Sequence, residues 1–214
     1  MGKQMRILVT GGYGLIGHNV IKRLMDQGHR TFIVATKTNY GIIPQSEIDY
    51  LMEERARKIG HHLHYSTDIT NTGPIDYVIE QTKPEVLIHM ASFPRQKVVN
   101  ANPQLGADVM MRGLINLLES AKSHGIRRFV YISSSMVYGD FQDQVTEDAV
   151  CSPQGQYGIM KLAGEWLVKD YARRTGMEYV IIRPSAVYGP LDVEDRVVAK
   201  FRSEEHTSEL QSHH

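Results

Sequence analysis

Tyr157 and Lys161 stand four residues apart in Gln156-Tyr157-Gly158-Ile159-Met160-Lys161, and on a helix that spacing brings both side chains to one face. The chemistry open to such a pair is proton transfer. A free phenol titrates near 10, so a tyrosine acting as a base at neutral pH needs its pKa lowered by roughly 3, about 4 kcal/mol of differential stabilisation. A neighbouring ammonium favours the phenolate. Lys161 supplies that charge and has the reach to hold a coenzyme ribose, while a hydroxyl such as Ser134 orients a substrate oxygen against Tyr157. Tyrosine and lysine at this spacing also stud ordinary amphipathic helices. The pair therefore gains meaning only from the residues around it.

The strongest of those residues form Val9-Thr10-Gly11-Gly12-Tyr13-Gly14-Leu15-Ile16-Gly17, where a strand passes into a helix within a few residues. Gly11 allows the tight turn, Gly14 lets backbone approach a pyrophosphate, and Gly17 permits close packing of helix on strand. Tyr13, Leu15 and Ile16 share the turn and are expected at the coenzyme with the three glycines. Unpaired N–H groups and the positive end of the helix dipole attract the anion there. NAD sites of this kind place an acidic residue about 20 positions on, at the end of the second strand. Between Asp26 and Glu47 this chain has no Asp or Glu, and the strand ends Val34-Ala35-Thr36-Lys37. Thr36 can donate to a 2′-phosphate and Lys37 can pair with it, which leans the coenzyme expectation from NAD towards NADP. A solvated loop charge is the other reading of Lys37.

Six apolar, β-branched runs position these residues: Arg6 to Thr10, Thr31 to Ala35, Leu63 to Ser66, Val86 to Met90, Phe129 to Ser133 and Tyr179 to Arg183. Between them lie segments with helical spacing, Ile16 to Gln27, Gln45 to Ile59, Ile75 to Gln81, Gln104 to Ser123 and Gln156 to Thr175. Nearly continuous apolar strands alternating with helices indicate a doubly wound parallel α/β sheet, the Rossmann fold, with helices on both faces. Trp166, Leu162, Ala163 and Tyr171 continue the Tyr157 helix at core spacing, and Glu53 to Lys58 reads as a solvated helix face. Residues 1–201 make one unit. The tail 202–214, RSEEHTSELQSHH, has no apolar periodicity and resembles the translation of a sequencing-library adapter, so it is set aside as non-native or disordered.

The chain has 214 residues, 42% of them hydrophobic, with 24 Lys+Arg against 24 Asp+Glu. That balance argues against nucleic acid or anionic lipid as a partner. One cysteine, Cys151, forms no intramolecular disulfide, and the absence of a long apolar run or an export signal points to the cytoplasm. No metal is expected: His62 and His64 share a strand face without a third ligand and read as solvated, and His206, His213 and His214 lie in the tail.

Gly11-x-x-Gly14-x-x-Gly17, His89-Met-Ala-Ser92, Ser133-Ser-Ser-Met-Val-Tyr-Gly139, Tyr157-Gly-x-x-Lys161 and Arg183-Pro-Ser-Ala-Val-Tyr-Gly-Pro190 together resemble the extended short-chain dehydrogenase/reductases. More narrowly they resemble the NAD-dependent epimerase/dehydratase family acting on nucleotide sugars, in order from residue 5 to about 200. The resemblance implies Tyr157 as catalytic base and acid, Lys161 as its partner and Ser134 as the hydroxyl, with Ser133 and Ser135 as alternatives. It places Asp68 and Ile69 at the adenine side, Ala91 on the coenzyme wall, and Arg183, Pro184 and Ser185 near the nicotinamide. Met136 departs from the acidic residue that dehydratases and decarboxylases of the family carry before Val-Tyr-Gly. A thioether transfers no proton, so epimerisation or carbonyl reduction is favoured. Met110, where the family commonly has Asn, and Ala35 are further departures. Family members usually continue well past Pro190 into a C-terminal domain that grips the nucleotide. A truncated product is expected, its parent a homodimer, its substrate half largely missing and its sixth strand left as a sheet edge. The alternatives are a non-catalytic NAD(P)-binding regulatory relative and a reductase of non-sugar ketones.

Overall fold

The computed structural model describes residues 3–36, 38–39, 43–93, 95–140 and 144–193. Lys37 and the tail 202–214 fall outside the described residues. Six strands, β1 (Arg6–Thr10), β2 (Arg30–Ala35), β3 (Leu63–Ser66), β4 (Val86–His89), β5 (Arg128–Ile132) and β6 (Glu178–Ile182), form one sheet in the order β3-β2-β1-β4-β5-β6. Every pairing is parallel. The order reverses between β1 and β4, and the crevice beyond the carboxyl ends of these two strands is where sheets of this topology bind ligands.

Alternate residues of the central strands feed two cores. Leu8, Phe32, Val34 and Leu87 face one cluster, and Ile7, Val9, Ile33 and Ile88 face the other. Helices α1 (Leu15–Asp26) and α2 (Gln45–Ile59) lie at the second face. Helices α3 (Thr72–Thr82), α6 (Gly113–Ser123) and α7 (Gly155–Thr175) lie at the first. Strands covered on both sides carry apolar residues throughout, which is why they read as continuous runs.

Three local expectations are corrected. The helix expected over Gln104 to Ser123 is three pieces: α5 (Pro103–Ala107), a π-helical turn over Asp108–Arg112, and α6. A preceding short helix, α4 (Gln96–Ala101), had no periodicity long enough to register. Trp166 is 63% exposed, while Leu162 and Tyr171 are buried as expected. Glu165 takes the inward position one turn beyond Lys161, which turns Trp166 towards solvent. Arg55, inside the run expected to be solvated, is buried.

Among the described residues β6 pairs with β5 alone, and Tyr179, Val180 and Ile182 are each more than 40% exposed.

Candidate active site

The glycine turn closes the carboxyl end of β1. Gly11 has φ +73°, its N–H donates to Val34 O at 2.8 Å, and a Cβ there would lie 2.7 Å from Ala91 N. A Cβ on Gly17 would lie 2.4 Å from Gly11 O, so glycine is required for α1 to pack on the turn. Gly14 caps α1 without a side-chain bond, and the first turn holds no acidic residue. Its N–H groups are left for an anion.

Beside this turn lies a cavity of about 290 Å³ lined by Gly11, Tyr13, Gly14, Thr36, Asp68, Ile69 and Ala91, among others. Leu15, Ile16 and Gly17 do not line it; they form the start of α1 behind the turn. The wall also contains Ser92, whose buried hydroxyl has no hydrogen-bond partner. A cradle that side chains would fill, a helix start without a carboxylate and an unsatisfied hydroxyl together fit a dinucleotide. At the end of β2, Thr38 Oγ1 donates to Thr36 Oγ1 at 2.9 Å in place of an acidic residue.

Residues that sequence reasoning passed over hold this wall. Ala91 N–H donates to Thr10 Oγ1 at 3.2 Å, and Thr10 Oγ1 bonds His89 Nδ1 at 2.8 Å. The Thr10 hydroxyl thus bridges the Ala91 amide and the His89 ring. Burial, with the charge of Lys161, pushes His89 down to about 3. Arg55 Nη1 donates to Tyr13 O at 2.9 Å, and its Nε and Nη2 reach Leu191 O at 3.2 and 2.6 Å. The guanidinium thus ties the glycine turn to the segment beyond β6. His64 is exposed, as expected, and His62 half-buried; both pack edge-on against the Tyr13 ring, and the Tyr13 hydroxyl is hydrogen-bonded to His62 Nε2 at 2.8 Å. Among the described residues no group of three or more His, Cys, Asp or Glu is placed to hold a metal ion.

The second constellation sits past the ends of β5 and β6. A one-turn 3-10 helix, Ser135–Tyr138, follows the extended Ser134, whose Oγ accepts from Met136 N at 3.2 Å and keeps its own O–H to donate. A Cβ on Gly158 would lie 2.7 Å from Met136 O. Lacking one, α7 comes down directly on this turn at the residue that follows Tyr157. Lys161 is buried, donates to Ile132 O at 2.8 Å and stands 5.8 Å from the Tyr157 ring centroid. Burial lowers its ammonium to about 7. The Ser133 hydroxyl is engaged, donating to Glu165, while the Ser135 backbone N–H donates to Pro184 O. Arg183, Pro184 and Ser185 do not line the cavity; the Arg183 guanidinium is turned inward onto Glu165 and Tyr138.

The chain matches the NAD dependent epimerase/dehydratase family over residues 7–210. It is 31% identical to a putative UDP-glucose 4-epimerase of Methanocaldococcus jannaschii over 188 residues, 86% of this chain and 56% of that protein. Among solved structures it is similar to UDP-glucuronic acid 4-epimerase of Bacillus cereus in complex with NAD, with TM-score 0.82 and 26% identity, covering 95% of this chain and 64% of that one. It is also similar to UDP-glucose 4-epimerase of Thermotoga maritima with UDP-glucose, with TM-score 0.79 and 27% identity, covering 92% and 62% respectively. The chain spans less than two thirds of the length of each of these relatives.

Proposed function

The chain belongs to the NAD dependent epimerase/dehydratase family, and from that premise we propose that it carries the coenzyme-binding and proton-transfer residues of a nucleotide-sugar epimerase or reductase. What supports this reading is the approach of α7 to the turn after β5 at Gly158, where a Cβ would lie 2.7 Å from Met136 O, together with the 5.8 Å between Lys161 Nζ and the Tyr157 ring centroid. A bound nicotinamide supplies hydride acceptance and return. Tyr157 removes the proton of a sugar hydroxyl as that carbon is oxidised to a ketone, and gives it back on reduction. Lys161 favours the phenolate and lies close to neutrality itself, while Ser134 holds the substrate oxygen. Met136 offers no proton, which supports epimerisation or reduction over loss of water.

The substrate we assign is a nucleotide sugar of the UDP-hexose or UDP-hexuronate kind, consistent with what the similar proteins are named for. Grip on the nucleotide is assigned to the length by which those relatives exceed this chain. We carry the expected homodimer and cytoplasmic location forward on the same terms. No helix among the described residues is long and apolar enough to cross a membrane. NAD is the family's coenzyme; the lean towards NADP rests on the missing acid at the end of β2.

Thermal unfolding with NAD, NADP and their reduced forms tests the reading. A ligand at 100 times its Kd adds about 2.7 kcal/mol, roughly 5 to 11 °C at this size. Tyr157→Phe should keep that shift and lower turnover of a UDP-hexose by roughly 10² to 10⁴. Undiminished turnover refutes Tyr157 as the base, and no shift with any coenzyme refutes the dinucleotide site.

A further inference from the structure

We propose that Glu165 is a positioning residue for the Ser134, Tyr157 and Lys161 centre, its buried carboxylate clamping the ends of β5 and β6 to α7 and so fixing where the Ser134 hydroxyl stands relative to Tyr157. The inference rests on the reading of that trio as the reacting centre.

Tyr157, Lys161 and Glu165 follow one another at intervals of four along α7, so they share a face. The first two serve the proton transfer. Glu165 is the next residue inward and has no solvent exposure. Its Oε1 accepts from Ser133 Oγ at 2.5 Å and Arg183 Nε at 2.9 Å, and its Oε2 accepts from Arg183 Nη2 at 2.7 Å. The last two bonds are a parallel fork, the geometry that fixes direction as well as distance. Arg183 Nη1 in turn donates to the Tyr138 hydroxyl at 2.8 Å and to Glu147 O at 3.0 Å.

One carboxylate therefore reaches both ends of the turn that presents Ser134, through Ser133 before it and through Arg183 to Tyr138 at its close. Backbone bonds run along the same line, Ser133 N to Ile182 O at 2.8 Å and Ser135 N to Pro184 O at 3.0 Å. Desolvating a carboxylate is expensive, and apolar residues of the same volume often replace a buried ion pair without loss of stability. A leucine at 165 would fill the space yet hold neither Ser133 nor Arg183. What the acid supplies is placement, and small misplacements of a reacting group cost orders of magnitude in rate.

Glu165→Gln keeps the volume and removes the charge. The measurement is the ionisation of the Tyr157 phenol in the 214-residue chain, read as the ultraviolet difference between each protein and its Tyr157→Phe counterpart, with and without NAD. Losing a nearby anion would by electrostatics alone lower the phenol pKa. On the proposal the Ser134 hydroxyl donates to the phenolate when no substrate is bound, so losing its placement raises the phenol pKa. The expected result is a rise of about one pKa unit, a tenfold change in ionisation equilibrium. A fall, or no change, overturns the proposal. Glu165→Gln leaves Arg183 unpaired and can unfold the chain, so Glu165→Gln/Arg183→Met is measured beside it. This pair removes both charges and should regain thermal stability while keeping the raised phenol pKa; an ordinary wild-type value regained with stability overturns the clamp. Failure of the functional reading looks different: the wild-type phenol titrates near 10 and no coenzyme shifts the melting point.

Discussion

Lys161 makes a claim on stability that can be measured without substrate. Burial holds its ammonium at about 7 against an ordinary value of 10.5. Between those two values the unfolded chain binds a proton that the folded chain does not, so stability rises with pH across that window. Integrating over pH 7 to 9.5 gives about 3 kcal/mol of added stability from this one group. For a chain of this size each kcal/mol moves the midpoint by roughly 2 to 4 °C, so the gain is roughly 6 to 12 °C. Lys161→Met lacks the titration but keeps the volume, and the bond it loses to Ile132 O costs the same at every pH. The assay is thermal unfolding of both proteins in steps from pH 7 to 9.5. Both proteins carry Tyr157→Phe, so that the phenol Lys161 acts on does not titrate in one of them alone; the midpoint with Lys161 minus that of the variant should then climb by the stated amount, as the groups Lys161 does not touch cancel. Parallel profiles would refute the reasoning, since Lys161 would then hold its proton as firmly in the fold as in the unfolded chain.

Two further substitutions test the coenzyme wall. Gly17→Ala puts a methyl group 2.4 Å from Gly11 O, and should cost about 1 to 3 kcal/mol and abolish the melting shift given by a coenzyme; a full shift in the variant would show that the turn does not need this contact. Thr10→Val strips the His89 ring nitrogen and the Ala91 amide of a shared partner. Urea unfolding should show a loss of about 2 to 4 kcal/mol, and a loss below about 0.5 kcal/mol would mean that water replaces the hydroxyl.

The central strands β1, β2 and β4 were legible because they are covered on both faces, so their apolar runs were unbroken, and β1 and the exposed edge strand β3 match the expected bounds residue for residue. Gly17 was legible for a local reason, its constraint coming from Gly11 and Gly12, and Gly11 from the φ of its turn, whereas the approach of Ala91 to Gly11 comes from 80 residues away. Glu165 was not, because nothing in its own helix distinguishes an inward acid from a solvated one; its partners Ser133 and Arg183 arrive from other strands. Arg55 was hidden likewise in a mixed charge run, its partners lying 42 and 136 residues away. The π turn at Asp108–Arg112 escaped because an inserted residue shifts the phase of a helix without altering its composition. The place of Arg183 followed from family likeness, and the structure gives its guanidinium a task inside the protein.

The partnership of Glu165 with Arg183 also orders events during synthesis. Arg183 leaves the ribosome 18 residues after the carboxylate that needs it. Until then the acid on the inward face of α7 has the Ser133 hydroxyl at the end of β5 but not the guanidinium that neutralises it. A nascent chain of five strands can lay down the glycine turn and its wall, since β1, β2 and β4 are already made. It cannot seat α7 to full depth. Docking of β6 is then the event that lets the helix settle, so Tyr157 and Lys161, to which we assign proton transfer, would be seated last, after the coenzyme cleft exists.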